Sequence, residues 1–233
     1  MGDERFRLRI RYTKGGRLKY LSHLEVVRCM ERCIRRAGLP FMVSQGFSPH
    51  MRTAFGWALP VGVAGLDEYL DVLMHEYVAP NRVVEALRGV TPRGIEVLDV
   101  FYIDPRAKAP DAEYPFSLYE CVFAATEGEK DGSAPSSPDE TLAVLEAALD
   151  ELLAVGHMIV KRKKKEKTVV FEGLLPERPT FAIADDARVA MRMLTFTEGK
   201  GSLRPDLFCA EILQRAAGVE LKSIARLEQR SAD

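Results

Sequence analysis

The chain has 233 residues, 47% hydrophobic and 8% aromatic, which is enough apolar material for one large or two small cores and too much for a disordered chain. Its net charge of -1 conceals three blocks: residues 1–60 carry 12 Lys and Arg against 4 Asp and Glu, residues 61–160 carry 6 against 19, and residues 161–233 carry 15 against 11. No apolar run approaches a membrane span of roughly 18 residues, the N-terminus MGDERFRLRIRYTK lacks a signal-peptide core, and the four cysteines form no CxxC pair; the expectations are a cytoplasmic location, no membrane, reduced thiols, and neither metal nor cofactor.

In chain order, Arg5, Arg7, Arg9 and Arg11 alternate with Phe6, Leu8, Ile10 and Tyr12, a period of two that predicts a strand with one apolar and one basic face. Ser22-His23-Leu24-Glu25 is a capping box and opens a helix, with Leu24, Val27, Met30, Ile34 and Ala37 as its inner stripe and Gly38 and Pro40 as its stop. Arg28, Arg32, Arg35 and Arg36 face outward. Extended segments are expected at Phe41 to Val43 and Thr53 to Leu59, flanking a loop from Ser44 to His50, and then at Glu68 to Met74. A short helix at Asn81 to Arg88 and a strand at Ile95 to Ile103 complete a βαββαβ order.

Residues 105–114, with two prolines and no apolar periodicity, read as a linker between domains at 1–104 and 115–233. The second domain begins with a strand, Phe116 to Ala124, and a polar stretch at 126–138 expected to be mobile. Ser137-Pro138-Asp139-Glu140 then caps a helix with Leu142, Leu145, Leu149 and Leu152 inward. Strands near His157 to Arg162, Thr168 to Glu172 and Val189 to Phe196, a helix at Pro205 to Ala217 and a last strand at Val219 to Ala225 suggest βαββαβ again. The expected fold class is therefore α+β, as two tandem ferredoxin-like sandwiches.

Four features could carry chemistry. Arg5, Arg7, Arg9 and Arg11 would present guanidinium forks to phosphates, unless Asp71 and Asp99 on flanking strands pair with them inside the sheet layer. Lys161, Arg162, Lys163, Lys164, Lys165 and Lys167 crowd the expected tip of a hairpin, a finger for phosphate backbones; aromatic partners for bases must come from elsewhere, with Phe47, Phe55 and Trp57 the nearest in type. Lys200, Ser202 and Arg204 lie on a glycine-rich approach to a helix, where backbone N–H groups and the helix dipole favour an anion, although neither a P-loop nor GxGxxG is matched. His23, at a helix N-terminus among basic residues, is the candidate general base. Cys29 and Cys33 share a helix face without further ligands nearby and read as packing residues.

Taken together, Arg11-Tyr12 with Arg17-Leu18-Lys19-Tyr20-Leu21-Ser22-His23-Leu24-Glu25, Arg35-Arg36-Ala37-Gly38-Leu39-Pro40, Gln45-Gly46-Phe47-Ser48-Pro49-His50, Ala58-Leu59-Pro60-Val61-Gly62 and Gly201-Ser202-Leu203-Arg204-Pro205-Asp206 resemble the radical-SAM-linked protein family, a domain of unknown function fused to or encoded beside radical SAM proteins. The resemblance implies an accessory or substrate-handling partner of a radical SAM enzyme in RNA-related work. Arg36 stands where the third cysteine of CxxxCxxC would follow Cys29 and Cys33, so no iron–sulfur cluster is expected in this chain. The resulting expectation is an RNA-binding or RNA-presenting module. Its rival is an enzyme: a metal-independent endoribonuclease, by fold-level analogy with tandem ferredoxin-like CRISPR endonucleases, or the catalytic subunit of a radical SAM modification system, using His23.

Overall fold

The structure is a computed structural model and describes residues 5–126, 134–162, 165–185, 187–197 and 202–232, without the side chains of 162 and 165. The chain divides into two compact units, Met1–Tyr114 together with Glu228–Asp233, and Pro115–Leu227. Each combines helices with antiparallel strand pairs, an α+β architecture.

The first unit contains β1 (Phe6–Lys14), α1 (His23–Arg36), β2 (Thr53–Phe55), β3 (Ala64–Met74), α2 (Pro80–Arg88), β4 (Ile95–Ile103) and the single turn α3 (Pro110–Glu113). Its strands lie in the order β4-β1-β3-β2, each pair antiparallel. The alternation along β1 places Leu8, Ile10 and Tyr12 in a core shared with Val26, Met30 and Ile34 of α1 and Val83 and Leu87 of α2. The arginines take the opposite sheet face.

At the start of α1 the Glu25 carboxylate accepts hydrogen bonds from the Ser22 N–H at 2.8 Å and the Ser22 hydroxyl at 2.7 Å. The buried stripe of the helix is Val26, Cys29, Met30, Cys33 and Ile34, whereas Leu24, expected inside, is exposed. Spacings of three and four fit both stripes; the two cysteines act as small apolar residues and decide between them. Expected strands at Phe41 to Val43 and Thr53 to Leu59 shrink to the bridges Phe41–Met74 and Val43–Met51 and the three-residue β2, because Gly56, Trp57 and Pro60 interrupt the ladder. Between α2 and β4, Gly94 has φ +106°, and a Cβ there would lie 2.8 Å from the Gly15 carbonyl oxygen. That close approach permits the 2.7 Å hydrogen bond from Gly15 N–H to Gly94 O.

Residues 105–114 belong to the first unit rather than forming a free linker, and so do the last residues of the final strand, where the Gln229 side-chain amide donates to the Asp67 carbonyl at 2.8 Å.

The second unit contains β5 (Phe116–Ala125), α4 (Pro138–Val155), β6 (His157–Arg162), β7 (Lys165–Val170), β8 (Thr180–Asp185), β9 (Arg188–Phe196), α5 (Pro205–Leu213) and, as far as Leu227, β10 (Val219–Arg230). The order is β10-β5-β9-β8, with β6 and β7 forming a separate two-stranded sheet. The expected hairpin thus forms, but as a sheet of its own, and the edge place beside β9 is taken by β8, which the sequence did not announce. Its side chains are mostly exposed, so no apolar alternation marks it. The Ser137 hydroxyl accepts from the Glu140 N–H at 3.2 Å, but the Glu140 carboxylate turns to Ser136, not Ser137. Of the stretch expected to be mobile, residues 127–133 lie outside those described.

Candidate anion-binding cleft in the first unit

In the β1–β3 register Arg9 stands opposite Asp71 and Arg7 opposite Leu73. Arg9 is fully buried, and its guanidinium reaches Asp71 through Nε at 2.7 Å and a terminal nitrogen at 3.0 Å, Glu113 at 2.7 Å, the Tyr114 hydroxyl at 3.1 Å and the Lys108 carbonyl at 3.2 Å. Every direction is occupied by an internal partner, which is the condition for burying a charge. These carboxylates hold the Arg9 pKa above its ordinary value against the opposing effect of burial, which is the largest single influence. Arg9 is therefore removed from the set of residues available to a phosphate.

Arg11 lies opposite Tyr69 in the register and pairs diagonally with Asp67, whose other oxygen accepts from the Tyr69 hydroxyl at 3.2 Å. Asp99 stands opposite Arg11 on β4 and acts on its charge, while its own carboxylate accepts from the Val100 N–H at 2.8 Å. Burial first, then the Asp67 charge, raises the Tyr69 pKa. Tyr69 in turn stacks on Tyr114, with ring centroids 4.4 Å apart.

Arg7 differs from Arg9. Its Nε donates to Asp71 at 2.9 Å, while its terminal nitrogens donate to the Ala107 carbonyl at 2.5 Å and the Lys108 carbonyl at 3.2 Å. It thereby ties residues 107–108 to the sheet and shapes one wall of an open cleft of about 890 Å³. Arg5, Arg7, Arg52 and Arg106 line that cleft, against the carboxylates of Asp71 and Asp104. Arg52 and Arg106 are exposed. Arg106 is carried on a turn closed by Ala107 N–H to Asp104 O at 2.9 Å, in which the Asp104 carboxylate accepts from the Arg106 N–H at 2.7 Å. Sequence reading named Arg5 and Arg7 but missed Arg52 and Arg106, which lie in segments without periodicity.

The opposite wall belongs to the loop after α1. Its base is fixed by Met42 N–H to Leu73 O at 2.7 Å and Leu73 N–H to Arg52 O at 2.9 Å, and its mouth by Ser44 N–H to His50 O at 2.7 Å. The His50 N–H also donates to the Ser44 hydroxyl at 3.0 Å. Ser44, Met51 and Arg52 line the cleft, and Phe47 at the tip is fully exposed.

His23 is half-buried, packed edge-on against Phe55 at 5.7 Å, and lines a cavity of about 20 Å³ with Lys14, Trp57 and Glu68. That volume is on the scale of a single water and admits no nucleotide. Phe55 and Trp57 are also half-buried. Cys29 and Cys33 are buried, and burial followed by the neighbouring Cys29 pushes the Cys33 thiol up to about 11. Among the described residues no cluster of three or more His, Cys, Asp or Glu could hold a metal ion.

In the second unit, Lys161 and Lys167 are exposed on the β6–β7 hairpin, and Lys161 lies 3.3 Å from Glu166. Lys163 and Lys164, the side chains of Arg162 and Lys165, and Lys200 lie outside the described residues. Ser202 and Arg204 are exposed before α5, but the Arg204 guanidinium pairs with Asp206 at 2.5 Å. That carboxylate occupies the first helical turn, where a bound anion would otherwise profit from the helix dipole. The helix approach is thus partly neutralised from within.

Residues 7–205 match the family described as "Uncharacterized protein conserved in bacteria (DUF2344)", and the chain belongs to that family. No curated protein matches it. Among solved structures it is similar to a chain of the "Crystal Structure of a Cbf5-Nop10-Gar1 Complex", at 14% identity and TM-score 0.47, covering 97% of this chain and 50% of that one. It is also similar to a chain of the "Crystal structure of the archaeal box H/ACA sRNP Nop10-Cbf5 complex", at 14% identity and TM-score 0.45, covering 97% and 49%. The chain spans about half the length of these two. No helix among the described residues is long and apolar enough to cross a membrane.

Proposed function

We propose that the protein is an RNA-binding accessory module whose phosphate-binding surface is the arginine cleft of the first unit. The observation that carries this reading is the opening of the exposed Arg52 and Arg106 onto one cleft whose wall Arg5 and Arg7 also line. Two further cations, Arg9 and Arg11, are spent on holding the sheet beneath it. Guanidinium groups suit phosphate because their planar forks donate two hydrogen bonds to one group. Arg7, fixed by Asp71 and two carbonyls, is a rigid part of the wall, whereas the exposed Arg52 and Arg106 supply adjustable contacts. Lys161 and Lys167, exposed on the β6–β7 hairpin, add cations on the other unit.

The strand orders β4-β1-β3-β2 and β10-β5-β9-β8 support reading each unit as a ferredoxin-like sandwich, the second carrying an inserted hairpin. A radical SAM enzyme is the proposed protein partner, on the resemblance of the Tyr20 to Glu25 and Gln45 to His50 segments. Catalysis by His23 gains no support from a water-sized cavity.

The test is a titration of labelled single-stranded RNA against the wild type and the Arg52→Glu, Arg106→Glu double variant at several salt concentrations. Each phosphate contact contributes about -0.7 to the slope of log affinity against log salt for single strands. The double variant is expected to bind more weakly with a flatter slope. Unchanged affinity and slope would remove the cleft from the proposal.

A further inference from the structure

We infer that Phe47 is a base-stacking platform at the edge of the arginine cleft, so that the ligand is RNA with an unpaired base and not duplex RNA. This rests on the cleft reading above and narrows it. The Phe47 ring is fully exposed at the loop tip, so its apolar surface gains nothing until something covers it. The loop is nevertheless built to hold it out: Val43 bridges to Met51, Ser44 and His50 close the mouth through two hydrogen bonds, and Gly46 adopts φ +131°, a region that suits glycine.

Its location gives the ring a purpose. Ser44, three residues before it, and Arg52, five residues after it, both line the cleft. At no more than about 3.6 Å per residue, the Phe47 backbone lies within roughly 11 Å of Ser44. A chain whose phosphates lie along the exposed Arg52 and Arg106 would pass beside the loop that carries this ring. Stacking on an aromatic face and backbone neutralisation by cations are the two elements with which proteins hold single-stranded nucleic acid. A duplex keeps its bases stacked on one another and offers the ring no face. Phe55 and Trp57 cannot take this part, because both are half-buried and Phe55 already packs against His23.

The experiment compares the full chain with its Phe47→Ala and Phe47→Trp variants, each titrated with a short unstructured RNA, the same RNA lacking its bases, and the corresponding duplex. Phe47→Ala is expected to weaken single-strand binding roughly 5- to 150-fold, the range for losing one stacked base, while leaving the baseless and duplex affinities unchanged. Phe47→Trp should retain single-strand affinity, and its indole fluorescence should be quenched on binding. If Phe47→Ala binds single strands as the wild type does while Arg52→Glu, Arg106→Glu loses them, the stacking role is overturned and the cleft stands. If all ligands are lost equally, the ring acts through loop shape and the inference also falls. If the wild type binds none of the three, the cleft reading itself fails.

Discussion

Both oxygens of Asp71 are engaged by Arg9, with Nε at 2.7 Å from one and a terminal nitrogen at 3.0 Å from the other. The two residues face each other across β1 and β3, and neither is appreciably exposed. A buried bidentate pair is a weak source of net stability while intact, but loss of one member strands the other. Asp71→Asn is therefore expected to cost about 3–5 kcal/mol. Urea unfolding decides; a wild-type midpoint for Asp71→Asn would show that the pair is dispensable.

Charge reversal of exposed lysines on the hairpin separates binding from folding. Lys161→Glu with Lys167→Glu is expected to weaken RNA affinity and flatten its salt dependence with little change in melting temperature, because both side chains are solvated and surface ion pairs such as Lys161 with Glu166 contribute little. A large drop in melting temperature would mean that the hairpin has a structural role instead.

The buried thiol of Cys33 gives a pH signature. Its folded pKa of about 11 exceeds the ordinary 9.0, so the folded chain favours the protonated form. Stability from this group is complete below pH 9.0 and declines as pH rises toward about 11. Cys33→Ser or Cys33→Ala should flatten that alkaline decline, whatever its effect at neutral pH. Chemical unfolding at pH 8 and pH 10.5 measures both; parallel losses in variant and wild type would assign the decline to other groups.

Gly94→Ala tests the close approach at the start of β4. With φ at +106° and the Gly15 carbonyl 2.8 Å from the added Cβ, the substitution combines backbone strain with a clash against another backbone atom. The expected cost is on the order of 1–3 kcal/mol, read from thermal unfolding. A neutral result would require the Gly15 turn to move freely.

Much of this was legible in the sequence. The alternation from Arg5 to Tyr12 fixed the two faces of β1, and Asp71 was a foreseeable partner because it lies on a strand of opposite charge. The capping residues Ser22 and Glu25 marked the start of α1 for the same local reason. Legibility ended where tertiary contacts choose between equivalent patterns. Cys29 and Cys33 against Leu24 and Val27 is such a choice, and so is β8, an edge strand without apolar alternation. Arg52 and Arg106 escaped notice because loop positions leave no period. Their convergence depends on hydrogen bonds made by Leu73, Asp104 and Arg7 far apart in the chain.

The bond from Gln229 to the Asp67 carbonyl joins residues 162 positions apart, and the last six residues pack with the first unit although the whole of Pro115–Leu227 intervenes. During synthesis, at roughly 5–20 residues per second, the first unit must wait several seconds after Tyr114 is made before this contact can form. Its β3 edge near Asp67 stays incomplete throughout that interval. A nascent first unit would then be protease-sensitive on the ribosome until the final strand emerges, and its maturation would be delayed until the strand that also completes the second unit is made.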